Sequence, residues 1–537
     1  MDKNSVVIAS ILFLLVQLPG WSQGNRFAVF FTDKNETEYT VDQPEEFLSP
    51  RAIERRQKQE IPIIDEDLPV NASYVSGIKE LGIKVWYSSK WFNMILVETD
   101  SSRLQELNDL PYVTNVDLVA PGKLGGTNGR SKNGRLRGNG RSGGAAFQNQ
   151  LLGVDSMHIQ GFTGEGMLIG VFDGGFDGAN QVAAFEHLRN ESKIKATFDF
   201  VSNTNDVYRY SSHGTQAFSC IGASDPQTMI GTAPEADFIL CVTEDVFSEY
   251  RVEEYNWLFA AEFADSVGVD VINTSLGYNT FDDPSMNYAT SDLDGSTAVV
   301  SQAASIAATK GMIIVASAGN SGTESWKFIT APADGLDVLA VGAIQHDSVK
   351  ASFSSFGPTA DGRIKPDVVA LGVQVSTIDK NGMVALGNGT SFAAPQVAGL
   401  VAGYWQAHPD MSYLEVLDAI RNSASQAGMQ NNETGWGLPN FNNTMQLVTG
   451  LDETDELGFL VYPNPLFDNL LFIQGNLPTG ILGVRLYGST GQLLAKEMLA
   501  INTSNAVRLE LPHLTPGFYI LSLSSQKGNQ KVKLIKY

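Results

Sequence analysis

Four polar side chains stand out in this 537-residue sequence because each closes a short apolar run or opens a helical one, where a loop would present it to a cleft. Asp173 ends Met167-Leu168-Ile169-Gly170-Val171-Phe172 and is followed by Gly174-Gly175, so its carboxylate has no bulky neighbour in sequence. His213 lies in Ser211-Ser212-His213-Gly214-Thr215 ahead of Ala217, Phe218 and Ile221, and should start a helix facing the cleft. Asn320 ends Val315-Ala316-Ser317-Ala318-Gly319-Asn320 and offers an amide donor. Ser391 stands in Gly387-Asn388-Gly389-Thr390-Ser391-Phe392-Ala393-Ala394-Pro395, with glycines before it to admit a substrate. The apolar helix expected over 397–405 lies behind it, and free N–H groups at a helix start can meet developing negative charge. Taken singly, each has an ordinary reading as a turn carboxylate, a satisfied imidazole, a turn amide or a serine cap, and Asp177 competes as the carboxylate. Together, in the order Asp, His, Asn, Ser, they supply what acyl transfer needs: a nucleophile, a base, a carboxylate to orient the base and an oxyanion donor. The Gly-x-Ser-x-Gly elbow is absent, since Ala393 occupies the second glycine's place.

Elements that could position these groups are legible around them. Between about 150 and 448, short apolar runs alternate with helical stretches, the pattern of an α/β domain with a parallel sheet covered on both faces. Strands are expected at 167–172, 237–242, 269–273, 312–316 and 338–341, with functional residues at their carboxyl ends. Residues 25–120 read as a small α+β domain, with strands at 27–31, 83–87, 93–98 and 113–118 and a helix over 102–107. Residues 121–149 read as a solvated linker, rich in Gly, Asn and Ser, which carries Lys123, Arg130, Lys132, Arg135, Arg137 and Arg141 but no acid and is open to cleavage. The acidic run Asp452-Glu453-Thr454-Asp455-Glu456 marks a second boundary, beyond which 459–537 alternate at period two, as in a small all-β sandwich.

With 43% hydrophobic and 18% charged residues the chain is an ordinary globular protein. Its 36 basic against 59 acidic residues give a net charge of −23, which excludes nucleic acid as a natural partner. At the amino end Lys3 precedes the apolar run Val6 to Leu18, then Pro19-Gly20 and small residues, an order that predicts a signal peptide over 1–24 and an exported protein. That run is shorter than the roughly 20 residues a membrane-spanning helix needs. Cys220 and Cys241, the only cysteines, are too few for a disulfide scaffold and read as buried thiols, a bridge between them being left open.

The four residues, with Thr163-Gly164-Glu165-Gly166, Gly231-Thr232-Ala233-Pro234, Val271-Ile272-Asn273-Thr274-Ser275-Leu276-Gly277, Ala351 to Pro358 and Lys365-Pro366-Asp367-Val368, closely resemble the subtilisin-like serine proteases, or subtilases, over about 150–445. The resemblance implies a secreted endopeptidase acting on protein or peptide substrates, with Asp173, His213 and Ser391 as the triad and Asn320 in the oxyanion site. It further implies that Ser275-Leu276-Gly277 pairs with substrate backbone and that Gly319 borders the pocket for the side chain before the scissile bond. Against the family pattern, Gly174 stands for Ser or Thr, Gln216 for a second His, Phe392 for Met and Leu371 for Pro. Sedolisin relatives share the Gly-Thr-Ser motif but carry a carboxylate in place of the imidazole, and His213 argues against that branch. Lys84-Val85-Trp86-Tyr87 through Phe92-Asn93 and Leu110 to Val116 are similar to the subtilase propeptide, which implies a folding aid and inhibitor cut away within 121–149. Tyr462-Pro463-Asn464-Pro465, Pro516-Gly517-Phe518-Tyr519 and the basic end Lys531 to Lys536 resemble a type IX secretion sorting domain, implying that machinery as partner and a secreted or cell-surface location. No metal ligand set is expected and no cofactor is required. Loop Asp and Asn residues leave a structural calcium open, although no twelve-residue calcium loop is present.

Overall fold

The computed structural model describes residues 24–122, 144–448 and 459–536, the last without 465, 467–468, 475–479, 489–491, 502–506, 516 and 526–527. Residues 1–23 of the expected signal, most of the basic linker and the acidic run 452–456 lie outside the described residues. The chain divides into two compact units, 1–444 and 445–537.

Within the first unit, four antiparallel strands form a sheet in the order β2-β3-β1-β4, where β1 is Asn25–Phe31, β2 Lys84–Ser89, β3 Met94–Thr99 and β4 Val113–Ala120. Alternation along β1 and β3 explains their near-continuous apolar sequence. Phe27, Val29, Ile95 and Val97 face a small core of their own, while Ala28, Met94 and Leu96 face the opposite way and join the core of the larger domain. Three helices belong to this domain: α1 Pro50–Lys58, α2 Ala72–Glu80 and α3 Leu104–Asn108. Sequence pattern anticipates only α3. The reason for missing α1 is chemical: Pro-Arg-Ala-Ile-Glu-Arg-Arg-Gln-Lys carries almost no apolar stripe, so its start is written in the cap instead. Ser49 accepts the Ala52 N–H at 3.2 Å and Pro50 occupies the first helical position.

The larger domain is built on a seven-stranded, wholly parallel sheet in the order β11-β10-β9-β8-β5-β7-β6. These strands are β5 Leu168–Asp173, β6 Ile194–Asp199, β7 Asp237–Val242, β8 Val271–Thr274, β9 Ile313–Ser317, β10 Val338–Ile344 and β11 Val368–Leu371. β6 and β11 were not expected. β6 is a half-exposed edge strand of mixed polarity, and β11 is only four residues long, so neither carries a strong pattern. The main helices are α4 Gly144–Leu151, α5 His213–Gly222, α6 Val252–Val267, α7 Val299–Thr309 and α8 Thr390–Ala407. α4 corrects the linker's expected end at 149. Gln148 is buried there, accepting the Ser376 N–H at 3.0 Å and donating to the Ser376 carbonyl at 3.3 Å, while Phe147 stacks on His346. Both cysteines are buried free thiols, and burial pushes their pKa values up, that of Cys220 to about 12.

The second unit carries a three-stranded antiparallel sheet of Leu460–Tyr462, Leu470–Gln474 and Val507–Glu510 and a four-stranded one of Gly480–Gly488, Leu493–Ile501, Gly517–Ser525 and Gly528–Lys536. Leu471, Ile473, Leu482, Val484, Leu486, Leu521 and Leu523 pack in one core, as the period-two pattern requires. Among the described residues, no helix is long and apolar enough to cross a membrane.

Candidate active site

Parallel strands deliver their carboxyl ends to one edge of the sheet, and there the separated residues meet. Asp173 is the last residue of β5 and is buried. His213 is the first residue of α5, and its Nδ1 lies 2.9 and 3.0 Å from the two Asp173 carboxylate oxygens. A carboxylate only accepts, so Nδ1 carries the proton and Nε2 presents its lone pair to the Ser391 hydroxyl, 3.0 Å away. Asp173 Oδ1 also accepts the Gly174 N–H at 2.8 Å, which fixes the carboxylate plane. Asp177, the rival carboxylate, turns to Lys380 at 2.8 Å and takes no part. His158 and His187 sit on the carbonyls of Thr232 and Pro234 at 3.0 and 2.9 Å, away from the Asp173 and Ser391 side chains.

α8 begins at Thr390, seven residues before the expected run, so Ser391 lies inside its first turn rather than ahead of it. Backbone N–H groups in a first turn have no acceptor within the helix, which leaves that of Ser391 available to an oxyanion. Pro395 has no N–H for the Ser391 carbonyl four residues back. Ser275 Oγ supplies the missing donor at 2.9 Å and itself accepts from Asn273 Nδ2 at 3.1 Å. Ser275 thus braces the nucleophile's turn. Gly389 caps the helix at φ 149°, and a β-carbon there would stand 2.9 Å from Ser391 Oγ, so only glycine keeps the hydroxyl clear.

Asn320 is exposed at the cleft, and its side chain is aimed by Thr390. The Thr390 N–H and hydroxyl both donate to Asn320 Oδ1, at 2.9 and 3.1 Å, and the same hydroxyl accepts the Gly319 N–H at 3.2 Å. With its oxygen held, the amide has its N–H donors left to offer. Sequence reading missed this role of Thr390, whose signal is only its place beside Ser391.

Ser275, Leu276 and Gly277 follow β8 as an irregular segment; Ser275 and Leu276 are buried and Gly277 is exposed. Strand pairing within the chain resumes at Tyr278, in an isolated bridge with Ala331. Gly277 and Gly319 converge on one side chain, since a β-carbon at either would meet Thr330 Oγ1, at 2.2 and 3.0 Å. Thr330 is buried, and nothing in its neighbouring sequence marks it as a wall of this space. The departures from the family pattern also have local causes. A β-carbon at Gly174 would stand 2.9 Å from Val246 Cγ1, so Ser or Thr there would force that side chain to shift. Gln216 reaches Thr377 Oγ1 at 3.1 Å, and the Phe392 ring lies 5.3 Å from that of His213.

The model of the Subtilase family matches residues 164–437, about half the chain. The chain belongs to the subtilase family. It is 31% identical to Subtilisin NAT of Bacillus subtilis subsp. natto over 280 residues, 51% of this chain, and covers 64% of that protein, under two thirds of its length. Against Subtilisin DY of Bacillus licheniformis it is 32% identical over 282 residues, covering 52% of this chain and 90% of the relative. The solved structure of MycP1 from Mycobacterium smegmatis aligns over 56% of this chain and 84% of its own, at 21% identity and a TM-score of 0.45. Either side of the subtilase domain, residues 26–134 match the Peptidase S8 propeptide domain of Bacteroidota and residues 460–537 match a Secretion system C-terminal sorting domain. The sorting domain marks this subtilase as secreted or held at the cell surface.

Proposed function

We propose that this subtilase is a serine endopeptidase that hydrolyses peptide bonds in proteins through an acyl-enzyme intermediate. One observation carries the reading: a single imidazole bridges the Asp173 carboxylate at 2.9 Å and the Ser391 hydroxyl at 3.0 Å. A neutral hydroxyl is a poor nucleophile, so His213 takes its proton as Ser391 attacks the carbonyl, then gives it to the departing amine. Asp173 holds the ring in the tautomer that can accept and stabilises the cation that forms. The Asn320 amide and the Ser391 N–H meet the oxyanion. Substrate backbone lies along Ser275-Leu276-Gly277, and the side chain before the scissile bond enters between Gly277 and Gly319, towards Thr330. Every group in this sequence of steps belongs to the chain, so it calls for no cofactor, and a structural calcium is not part of it. Residues 25–120 serve as folding aid and inhibitor until the linker is cut, and the carboxy-terminal domain hands the protein to the type IX secretion machinery.

A fluorophosphonate probe tests the reading. It should label the matured protein at Ser391 and leave the Ser391→Ala protein unlabelled. Equal labelling of both, or none in a matured parent, would overturn it. As in subtilisin, the reference enzyme for this arithmetic, loss of Ser391 or His213 should lower turnover about 10⁶-fold.

A further inference from the structure

In the parallel sheet β5 lies between β7 and β8, so the loop leaving β7 and the segment leaving β8 flank Asp173 at the end of β5. Thr243, the first residue past β7, donates its N–H to the Asp173 carbonyl at 3.1 Å. A β-carbon at Gly174 would stand 3.8 Å from that of Glu244 and 3.9 Å from that of Ser211, two residues before His213. Glu244 therefore belongs to the catalytic edge. One carboxylate oxygen from each of Glu244, Glu249 and Glu253 lies within 4.8 Å of the other two. Glu253 is buried on α6, while Glu244 and Glu249 are half-buried.

Two further observations point to what these acids bind. Tyr278 follows Gly277 directly, and its side chain is fully buried. Its hydroxyl has no hydrogen bond of good geometry among the described residues. Burial, and then the charges of Glu244, Glu253 and Glu254, push its pKa up, which sets the hydroxyl against the acids. Phe247, on the loop of Glu244 and Glu249, and Tyr210, three residues before His213, are 60% and 46% exposed and meet edge to face at 6.1 Å. Rings left in water beside carboxylates suit a side chain with an apolar stem and a cationic head. A metal ion would use the oxygens and leave the rings idle. Residues 121–149, where the peptidase reading places maturation, have the matching chemistry in their sequence, six basic residues and no acid.

We propose that Glu244, Glu249 and Glu253 form a subsite that takes a lysine or arginine side chain of the substrate, so that the enzyme cuts near basic residues. The proposal rests on the peptidase reading and names its substrate class. A guanidinium offers two parallel N–H donors to a carboxylate, which makes arginine the better fit. The residue bound here is not the one whose side chain enters between Gly277 and Gly319. Those glycines follow β8 and β9, whereas the acids follow β7, on the other side of Asp173.

The test uses the matured protein and fluorogenic peptides in which one arginine is moved through the positions on either side of the scissile bond. Citrulline, of the same shape without the charge, is the control. At one position arginine should exceed citrulline about tenfold or more in kcat/KM, chiefly through KM. Glu244→Gln combined with Glu249→Gln should bring that ratio within about twofold, and Glu249→Lys should favour glutamate over glutamine there. The proposal is overturned if no position gives a ratio above about threefold, or if the glutamines leave the ratio unchanged. Calcium binding seen by calorimetry in the parent and lost with the glutamines would assign the acids to a metal and overturn it as well. If the variants fail to fold, the parent still decides: its ratio should fall as salt rises from about 0.05 to 0.5 M, and a ratio indifferent to salt would refute charge recognition. Fluorophosphonate labelling keeps the two readings apart. A parent unlabelled at Ser391 sinks the peptidase reading and this one with it, whereas a labelled parent without the arginine preference sinks this one alone.

Discussion

Replacing Glu254 with Gln in a Ser391→Ala background should remove a pH dependence of stability that the wild-type fold carries between pH 4.5 and about 7. Glu254 lies on α6 with no solvent exposure. Its carboxylate oxygens accept the Tyr288 hydroxyl at 3.0 and 2.9 Å, and one also accepts the Val300 N–H at 3.3 Å near the start of α7. Burial raises its pKa from 4.5 to about 7, against the opposing pull of Tyr288, Val300 and Arg251. The sign follows from proton counting. In the unfolded chain the carboxyl loses its proton near 4.5, while the folded protein keeps it until about 7, so stability falls as pH rises through that window and is flat outside it. At about 1.4 kcal/mol per unit, the window corresponds to roughly 3 kcal/mol. Glutamine keeps the shape and cannot titrate. Urea unfolding of both proteins from pH 4 to 8, followed by tryptophan fluorescence, should give a difference curve that widens in favour of Gln up to about pH 7 and then stays level. Parallel curves would refute the assignment, as would a wild type that gains on the variant with rising pH. The region matters to function because Tyr288 belongs to the loop that continues from Ser275-Leu276-Gly277.

Asn320→Ala should lower kcat about 10²- to 10³-fold with little change in KM on a peptide substrate, and a loss confined to KM would contradict an oxyanion role. Thr390→Val should act in the same direction but by only about tenfold, since the Thr390 N–H still holds Asn320 Oδ1 at 2.9 Å. Gly174→Ser should lower the melting temperature because its β-carbon would meet Val246 Cγ1 at 2.9 Å, and adding Val246→Ala should recover much of the loss. A melting temperature unchanged by Gly174→Ser would show that the 244–246 loop yields freely.

What could be read from the sequence was whatever is local. Asp173, His213, Asn320 and Ser391 drew attention through their neighbours, an apolar run on one side and glycines on the other, and the parallel sheet followed from runs such as Asp237–Val242. Contacts between distant segments left no such trace. Thr330 closes on Gly277 and Gly319 from a third loop, and Ser275 braces Ser391 across 116 positions, a need created by Pro395. α1 was invisible for a related reason. Arg55 and Arg56 are buried, which a hydrophobic pattern cannot register, and the partner that makes burial tolerable lies 210 residues from Arg55 at Asp265.

α6 connects these distant features. Its amino-terminal approach carries Val246, packed against the glycine that follows Asp173, and its body carries Glu254, Glu262 and Asp265 into buried positions. Glu262 accepts the backbone N–H groups of Lys90 and Trp91 at 2.9 and 3.1 Å, so Glu262 and Asp265, two of the four buried acids of α6, are satisfied by the propeptide. A chain folding without residues 25–120 would seat α6 on the sheet with Glu262 and Asp265 lacking the donors that satisfy them here. Supplying those donors is how residues 25–120, on the proposed reading as a folding aid, would lower the barrier to seating the helix beside the strand that ends in Asp173. It also predicts an asymmetry. Once α6 is seated, packing against α7 and β5 can hold it, so the propeptide should matter more to the rate of reaching the native state than to the state's persistence afterwards.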